Sequence, residues 1–342
     1  MNHLFLGILI CIGILIGDAG FAVSPKNPFK INFEKKSELT HADFIEVQRL
    51  LGQINIHPVL HPLWQDKETY SHYGNFWLQC SSGLRQELIN PQKGFYPKQE
   101  LTQIGIGGDR CIVCYSPYRI LEEDPGLKAQ HIGEIAQALS QIGFNGHFLS
   151  LIGGFPNPTG EEIRYAGVPH SYKIFMMLQA HKLGFTNVLW INPTCLPLKD
   201  PTPLFEEIQT QEIVLHMQPI SSDLKKYIFE NTRSILQKTT GTDVCNSNHV
   251  VATVFGLKMN SEKVQRFLQQ YYALVDLGTP FLSCLPEEFV LSAIIGRPEF
   301  RDWNRSISMD RLFMKIGPKN LDSEAAIQNA QKAGFFFYEK QH

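Results

Sequence analysis

Net charge is nearly absent from this sequence, at −2 over 342 residues. Without a basic excess there is no electrostatic footprint for nucleic acid or for an anionic membrane surface. Internal repeats, low-complexity tracts and coiled-coil heptads are also missing, which excludes solenoid, linker-like and fibrous architectures. No Gly-x-Ser-x-Gly elbow occurs, so a serine hydrolase of the α/β type has no support. Charged residues make up 19% and hydrophobic residues 43%, enough apolar surface for a core rather than for disorder. Beyond the N-terminus, no apolar run is long enough to span a bilayer.

The one continuous apolar run, residues 4–16, has signal-peptide length and is short for a membrane span. Gly20-Phe-Ala22 follows as a small-x-small cleavage signal, although the preceding Met-Asn-His carries no Lys or Arg. The expectation is a signal peptide over 1–22 and a secreted or periplasmic chain. A membrane anchor is the alternative. Cys11 lies in that segment. The other cysteines, Cys80, Cys111, Cys114, Cys195, Cys245 and Cys284, are even in number and permit disulfides without specifying a pairing. Cys111-Ile-Val-Cys114 sits in a strand-like run, with no second pair at zinc spacing, and reads as buried small hydrophobes.

Organisation centres on residues 168–195. Residues 171–183 have helical periodicity, with Phe175, Leu178 and Leu183 on an apolar face, Ser171 as a cap and Gly184 as a stop. Residues 187–191 are an apolar strand, ending at Asn192 and Thr194. Around this unit strands and helices alternate. Strands are expected at 110–115, 147–152, 213–217 and 250–257. Helices are expected at 129–142, 204–208, 221–237, 261–277, 286–295 and 323–333. A further amphipathic helix fits 40–54. His57 and His61 are spaced like helical ligands, but Pro58 and Pro62 break that helix and leave loop histidines. Gly105-Ile-Gly-Gly108 precedes a strand, so it is a turn and not a dinucleotide fingerprint. The expected fold is α/β, with a mostly parallel central sheet covered by helices on both faces. The expected division is an irregular N-terminal region over 23–108, the α/β domain over 109–300 and a packed C-terminal extension over 301–342.

Three blocks carry a resemblance. They are Pro169-His-Ser-Tyr-Lys173 with Asn187-Val-Leu-Trp-Ile-Asn192, then Pro197-Leu-Lys-Asp-Pro-Thr-Pro-Leu-Phe205, then Asn246-Ser-Asn-His-Val-Val-Ala-Thr-Val-Phe-Gly256 with Pro286-Glu-Glu-Phe289. In this order, over residues 110–300, they resemble bacterial nucleotide-sugar-dependent glycosyltransferases of the GT-A fold. The resemblance implies a nucleotide-diphosphate sugar as donor and a hydroxyl acceptor on a glycan, lipid or protein. It also implies an Asp-containing turn after the strand that holds Mn²⁺ or Mg²⁺, and this sequence places Asn192-Pro-Thr194 there. Neutral oxygens hold such cations less well than carboxylates. Asp200 is the nearby candidate to replace the missing metal ligand, or else a turn starter.

By the same resemblance Lys173 reaches a phosphate or a sugar hydroxyl, or remains a solvated lysine. Glu288, and beside it Glu287, would be the acceptor-side general base, or would only complement a helix dipole. Asn192, Thr194 and Asn246 would line the substrate, His249 would join them or be a strand-edge histidine, and Trp303 would offer a ring to a sugar face or pack in the interior. Two functions stay open: sugar transfer, and an inactive sugar- or nucleotide-binding relative that lost its metal. A glycosidase using Glu287 and Glu288 is disfavoured, because adjacent helical residues diverge and do not flank a bond.

Overall fold

The computed structural model describes residues 98–116 and 125–340, apart from 166–167, 169, 221, 229, 282, 284, 307–310 and 317–323. The signal-like segment, the helix expected at 40–54, His57, His61, Cys80 and Cys284 lie outside the described residues. Among the described residues no helix is long and apolar enough to cross a membrane.

The main sheet has six strands: β1 (Lys98–Ile104), β2 (Arg110–Ser116), β3 (Gly146–Ile152), β4 (Asn187–Ile191), β6 (Ile213–Gln218) and β7 (His249–Lys258). β5 (Cys195–Pro197), β8 (Phe313–Ile316) and β9 (Phe337–Lys340) form a small second sheet. The helices are α1 (Pro125–Gln141), α2 (Tyr172–Lys182), α3 (Thr202–Gln211), α4 (Glu230–Thr240), α5 (Glu262–Leu277), α6 (Pro286–Ile295), α7 (Arg301–Ser306) and α8 (Glu324–Lys332). The main sheet runs β1-β3-β2-β4-β7-β6. Only β3-β2 and β2-β4 are parallel, while β1, β6 and β7 pair antiparallel to their neighbours. The sheet is therefore mixed, not mostly parallel. β6 and β7 pair with each other although α4 lies between them, and β1 adds an antiparallel edge from the stretch expected to be irregular. Strand propensity does not encode direction; the connections do.

Alternation along the strands divides the core. Cys111, Val113 and Tyr115 of β2 face one side with Val188 and Trp190 of β4, under α2, α5 and α6. Ile112 and Cys114 face the other side with Leu189 and Ile191, under α1 and α3. The two β2 cysteines thus point to opposite faces as buried hydrophobes, and burial pushes both thiols up.

Several local expectations change. The helix expected over 221–237 is a short 3₁₀ segment, Ser222–Tyr227, followed by α4. Leu183 is exposed, because it lies past the end of α2. Ser171 does not cap α2. Its hydroxyl donates backwards to the carbonyls of Val168 (3.0 Å) and Tyr165 (3.3 Å). Ser261 does cap α5, accepting from the amides of Lys263 and Val264.

Candidate functional site

β2 connects through α1 to β3 on one side of it, and β3 connects through α2 to β4 on the other. The gap between the carboxyl ends of β2 and β4 is thus a topological switch point, where open α/β sheets leave a crevice. Ser116 ends β2 there, and Asn192 follows β4. All five residues of β4 are buried, so the first polar group after Ile191 emerges at this edge.

β7 shapes the site from the next position in the sheet. It uses more residues than β6 between the pairings Val214↔Gly256 and His216↔Val251, so it bulges. A bulge re-aims side chains and frees backbone groups from the ladder. Here Ala252 is the residue released, and its carbonyl accepts from Lys173 Nζ (2.9 Å). The Thr253 carbonyl accepts from the Asn192 amide (2.9 Å), carrying the β4–β7 ladder one residue past Ile191↔Val254. The Ala252 amide donates to Glu288 Oε1 (3.0 Å).

Lys173, in the first turn of α2, forms an ion pair with Glu287, in the first turn of α6. Both are buried, and the ammonium also sits 5.7 Å from the centre of the Trp190 ring. Burial pushes the Glu287 carboxyl up, but Lys173 and then His170 outweigh it and hold it below the ordinary carboxylate range. His170 Nδ1 is 3.6 Å from Glu287 and 3.3 Å from the Tyr172 hydroxyl. Its φ of 57° places a non-glycine residue in the left-handed region, a strain common at binding sites. Glu288 is less enclosed, and its Oε2 lies 3.2 Å from His249 Nε2.

A second carboxylate arrives from the end of the chain. β5 follows the Asn192 turn directly and pairs with β9, placing Glu339 opposite Cys195. Glu339 Oε1 accepts from Asn192 Nδ2 (3.1 Å) and lies 3.4 Å from the Thr194 hydroxyl. The Thr253 hydroxyl lies 3.4 to 3.5 Å from both its oxygens. Asn192 Oδ1 is taken by the Trp190 indole N–H (3.1 Å), which fixes the amide with its nitrogen towards Glu339. The Cys195 thiol is buried beside it and raised, first by burial and then by Glu339.

The structure therefore brings Lys173, Glu287, Glu288, His249, Asn192 and Thr194 to one edge, linked through Ala252 and Thr253. Three expected residues lie elsewhere. Asp200 accepts from the amide (3.0 Å) and hydroxyl (2.9 Å) of Thr202, closing the start of α3 near Arg110 at the opposite end of the sheet. A carboxylate spent on that turn at the wrong edge cannot stand in for one at Asn192. Trp303 is 2% exposed, stacked on Phe300 and edged by Phe267, so its ring offers no face to a sugar. Asn246 binds the Asp243 carboxylate (2.6 Å) in the turn that Arg233 also grips. Lys173 is neither solvated nor open to a phosphate, since Glu287 and Ala252 occupy it.

Sequence reasoning missed Glu339, Thr253, His170 and Tyr172. Tyr172 packs its half-buried ring on Tyr115 (4.7 Å between centres) and Trp190 (6.0 Å). Thr253 had a signal, as a hydroxyl inside an otherwise apolar strand. Glu339 had none, being 147 residues from Asn192.

Among the described residues no cluster of three or more His, Cys, Asp or Glu side chains can hold a metal ion. The described residues therefore form no all-protein cage for Mn²⁺ or Mg²⁺. The carboxylate of Glu339 is engaged by Asn192 and lies beside the Thr194 and Thr253 hydroxyls.

No protein-family model matches the chain, and no curated protein matches it in sequence. Among solved structures, mouse xyloside xylosyltransferase 1 in its apo form overlays on 67% of this chain and 96% of its own. The identity is 11% and the TM-score 0.37. At that score the overlay establishes neither a shared register nor a shared site.

Proposed function

We propose that this chain binds a nucleotide-diphosphate sugar in the crevice between β2 and β4 and transfers the sugar to a hydroxyl acceptor. The observation that carries this reading is the convergence of Asn192, Thr194, Thr253 and Glu339 with Glu288 and His249 at the switch point of the sheet. The resemblance in the three sequence blocks supports the same chemistry. The acceptor oxygen attacks the anomeric carbon, the bond to the diphosphate breaks, and its electron pair leaves with the nucleotide. Glu288 takes the acceptor proton. It is held for that role by the Ala252 amide and His249, and a carboxylate so bonded still has lone pairs to accept with. Glu287 is not the base, because Lys173 neutralises it in the interior. A divalent cation, when bound, would offset the charge growing on the diphosphate.

The test is calorimetric titration of the purified chain with UDP and GDP, with and without Mn²⁺, alongside an assay of sugar release from the matching donors. Binding of one nucleotide, with turnover that Glu288→Gln abolishes while leaving binding intact, is the expected result. Absence of binding to either nucleotide under all conditions would falsify it.

A second reading is a binding protein of the same fold without transfer. The closed Lys173–Glu287 pair and the uncharged Asn192 favour it. Nucleotide binding with no turnover, unaffected by Glu288→Gln, would select it.

A further inference from the structure

A proton removed by Glu288 has a second holder beside it. Ser292 lies one turn further along α6, and its hydroxyl donates to the Glu288 carbonyl (2.6 Å). The same oxygen accepts from the Val250 amide (2.9 Å). A hydroxyl has a single proton to give. Towards His249 Nδ1, 3.5 Å away, the Ser292 oxygen can therefore only accept. A bare Nδ1 would set lone pair against lone pair, in a residue that is 2% exposed and cannot turn to water instead. The proton of the neutral ring thus belongs on Nδ1, and Nε2 carries the lone pair.

That lone pair faces Glu288 Oε2 at 3.2 Å, while Oε1 is already held by the Ala252 amide. Two acceptors at this distance are satisfied only when one proton stands between them. The other neighbours do not supply it. The Phe289 ring covers His249 from α6 (5.2 Å between centres), and Gln218 stands opposite it on β6. The Lys173 ammonium is spent on Glu287 and the Ala252 carbonyl, and His170 lies on the far carboxylate, Glu287.

We infer that His249 shares the proton that Glu288 takes from the acceptor, as a positioning residue whose tautomer Ser292 sets. This rests on the reading of Glu288 as the base. As the acceptor oxygen bonds to the anomeric carbon, its O–H bond breaks and the proton passes to Glu288. It settles between Oε2 and Nε2, leaving a carboxylate beside an imidazolium. The electron pair of the broken sugar bond leaves with the diphosphate. The pair enters turnover without the proton and ends it loaded. Glu288, with 14% of its side chain exposed against 3% for His249, is the member that returns the proton to water.

The experiment uses the full chain and reads the imidazole rings by nitrogen-15 NMR, alongside the assay of sugar release from nucleotide donors. The His249 signal is identified among the 12 histidines by its loss in His249→Gln and, independently, by its shift in Ser292→Ala. In the wild type His249 should be neutral with its proton on Nδ1, or doubly protonated. Ser292→Ala should move the neutral ring towards the Nε2 tautomer. His249→Gln still offers an N–H to hold Glu288 but cannot take up a proton. Its kcat should fall about a hundredfold with KM nearly unchanged. A wild-type His249 that is neutral and protonated on Nε2 overturns the assignment, as does a folded His249→Gln with wild-type kcat; Glu288 stays the base in both cases. A wild type that releases no sugar from any donor overturns this inference together with the function it rests on.

Discussion

The two ends of β4 are built from the same pair of groups and do different work. At the amino end, Asn187 Nδ2 donates to Asp109 (2.8 Å); at the carboxyl end, Asn192 Nδ2 donates to Glu339 (3.1 Å). Asp109 is exposed, shares the contact with Thr186, and ties a turn to the strand. Glu339 stands at the switch point, beside a buried Lys–Glu pair and the bulge of β7. Residue type is thus a poor guide to which amide-carboxylate pair belongs to a site. Position in the sheet is the better guide, because open α/β sheets bind ligands outside the carboxyl ends of their strands at a switch point.

The largest test of that contrast is charge removal at the carboxyl end. Lys173→Met removes the ammonium from buried Glu287, leaving His170 3.6 Å away, and should cost about 3–5 kcal/mol, read by urea denaturation. Adding Glu287→Leu should recover most of that loss. If Lys173→Met alone is neutral, the pair is more solvated than its burial indicates. The same pair sets an acid limit. The folded Glu287 carboxyl titrates below its ordinary value of 4.5, so the unfolded chain binds more protons in acid. Its contribution is complete above that value and is lost as pH falls through the lower, folded one.

A smaller difference should separate the two asparagines. In EDTA at neutral pH, Asn192→Asp sets a new charge against Glu339 and should destabilise by about 1–3 kcal/mol. Asn187→Asp faces an exposed Asp109, where water screens the repulsion, and should cost about 1 kcal/mol or less. Equal losses would erase the distinction between the two ends. Smaller again is the Arg233–Asp243 pair, outside the site. The Arg233 hydrogen bonds hold the Asp243 carboxyl at about 2, down from 3.8. Asp243→Asn should cost about 1 kcal/mol at neutral pH, and this difference should vanish as pH drops through 3.8 towards 2. The smallest effect contrasts two serines preceding helices. Ser261→Ala removes a true cap and should cost about 1 kcal/mol, visible as fraying of α5 by hydrogen exchange. Ser171→Ala removes only backward bonds, so the first-turn amides of α2 should exchange as in the wild type.

Much of the fold was legible. Residues 187–191 and 286–295 match β4 and α6 to the residue, because an uninterrupted apolar run and a Pro-Glu-Glu start are local signals. Ser261 announced a cap correctly and Ser171 did not, though both are serines before periodic apolar residues. The difference is the chain ahead of α2, which folds back so that its carbonyls capture the Ser171 hydroxyl. The site was half legible. Lys173, Glu287, Glu288, His249, Asn192 and Thr194 were named in advance and meet in space, yet their partners were not foreseen. Lys173 was expected to face a ligand or solvent and faces Glu287 instead. Trp303 was read as either a sugar platform or a packing residue and is the latter, buried among Phe267 and Phe300; an aromatic flanked by polar residues on a short helix looks the same in sequence either way.

By itself the sequence determined an α/β chain, the placement of most strands and helices, and a polar turn after β4, because periodicity and caps act over a few residues. Tertiary structure alone decided the rest. It set the antiparallel courses of β1, β6 and β7, the bulge that frees Ala252, and the arrival of Glu339 beside Asn192. Those depend on which strands pair across long stretches of chain, and pairing is chosen by how two apolar faces are covered at once, a condition that no local run of residues contains.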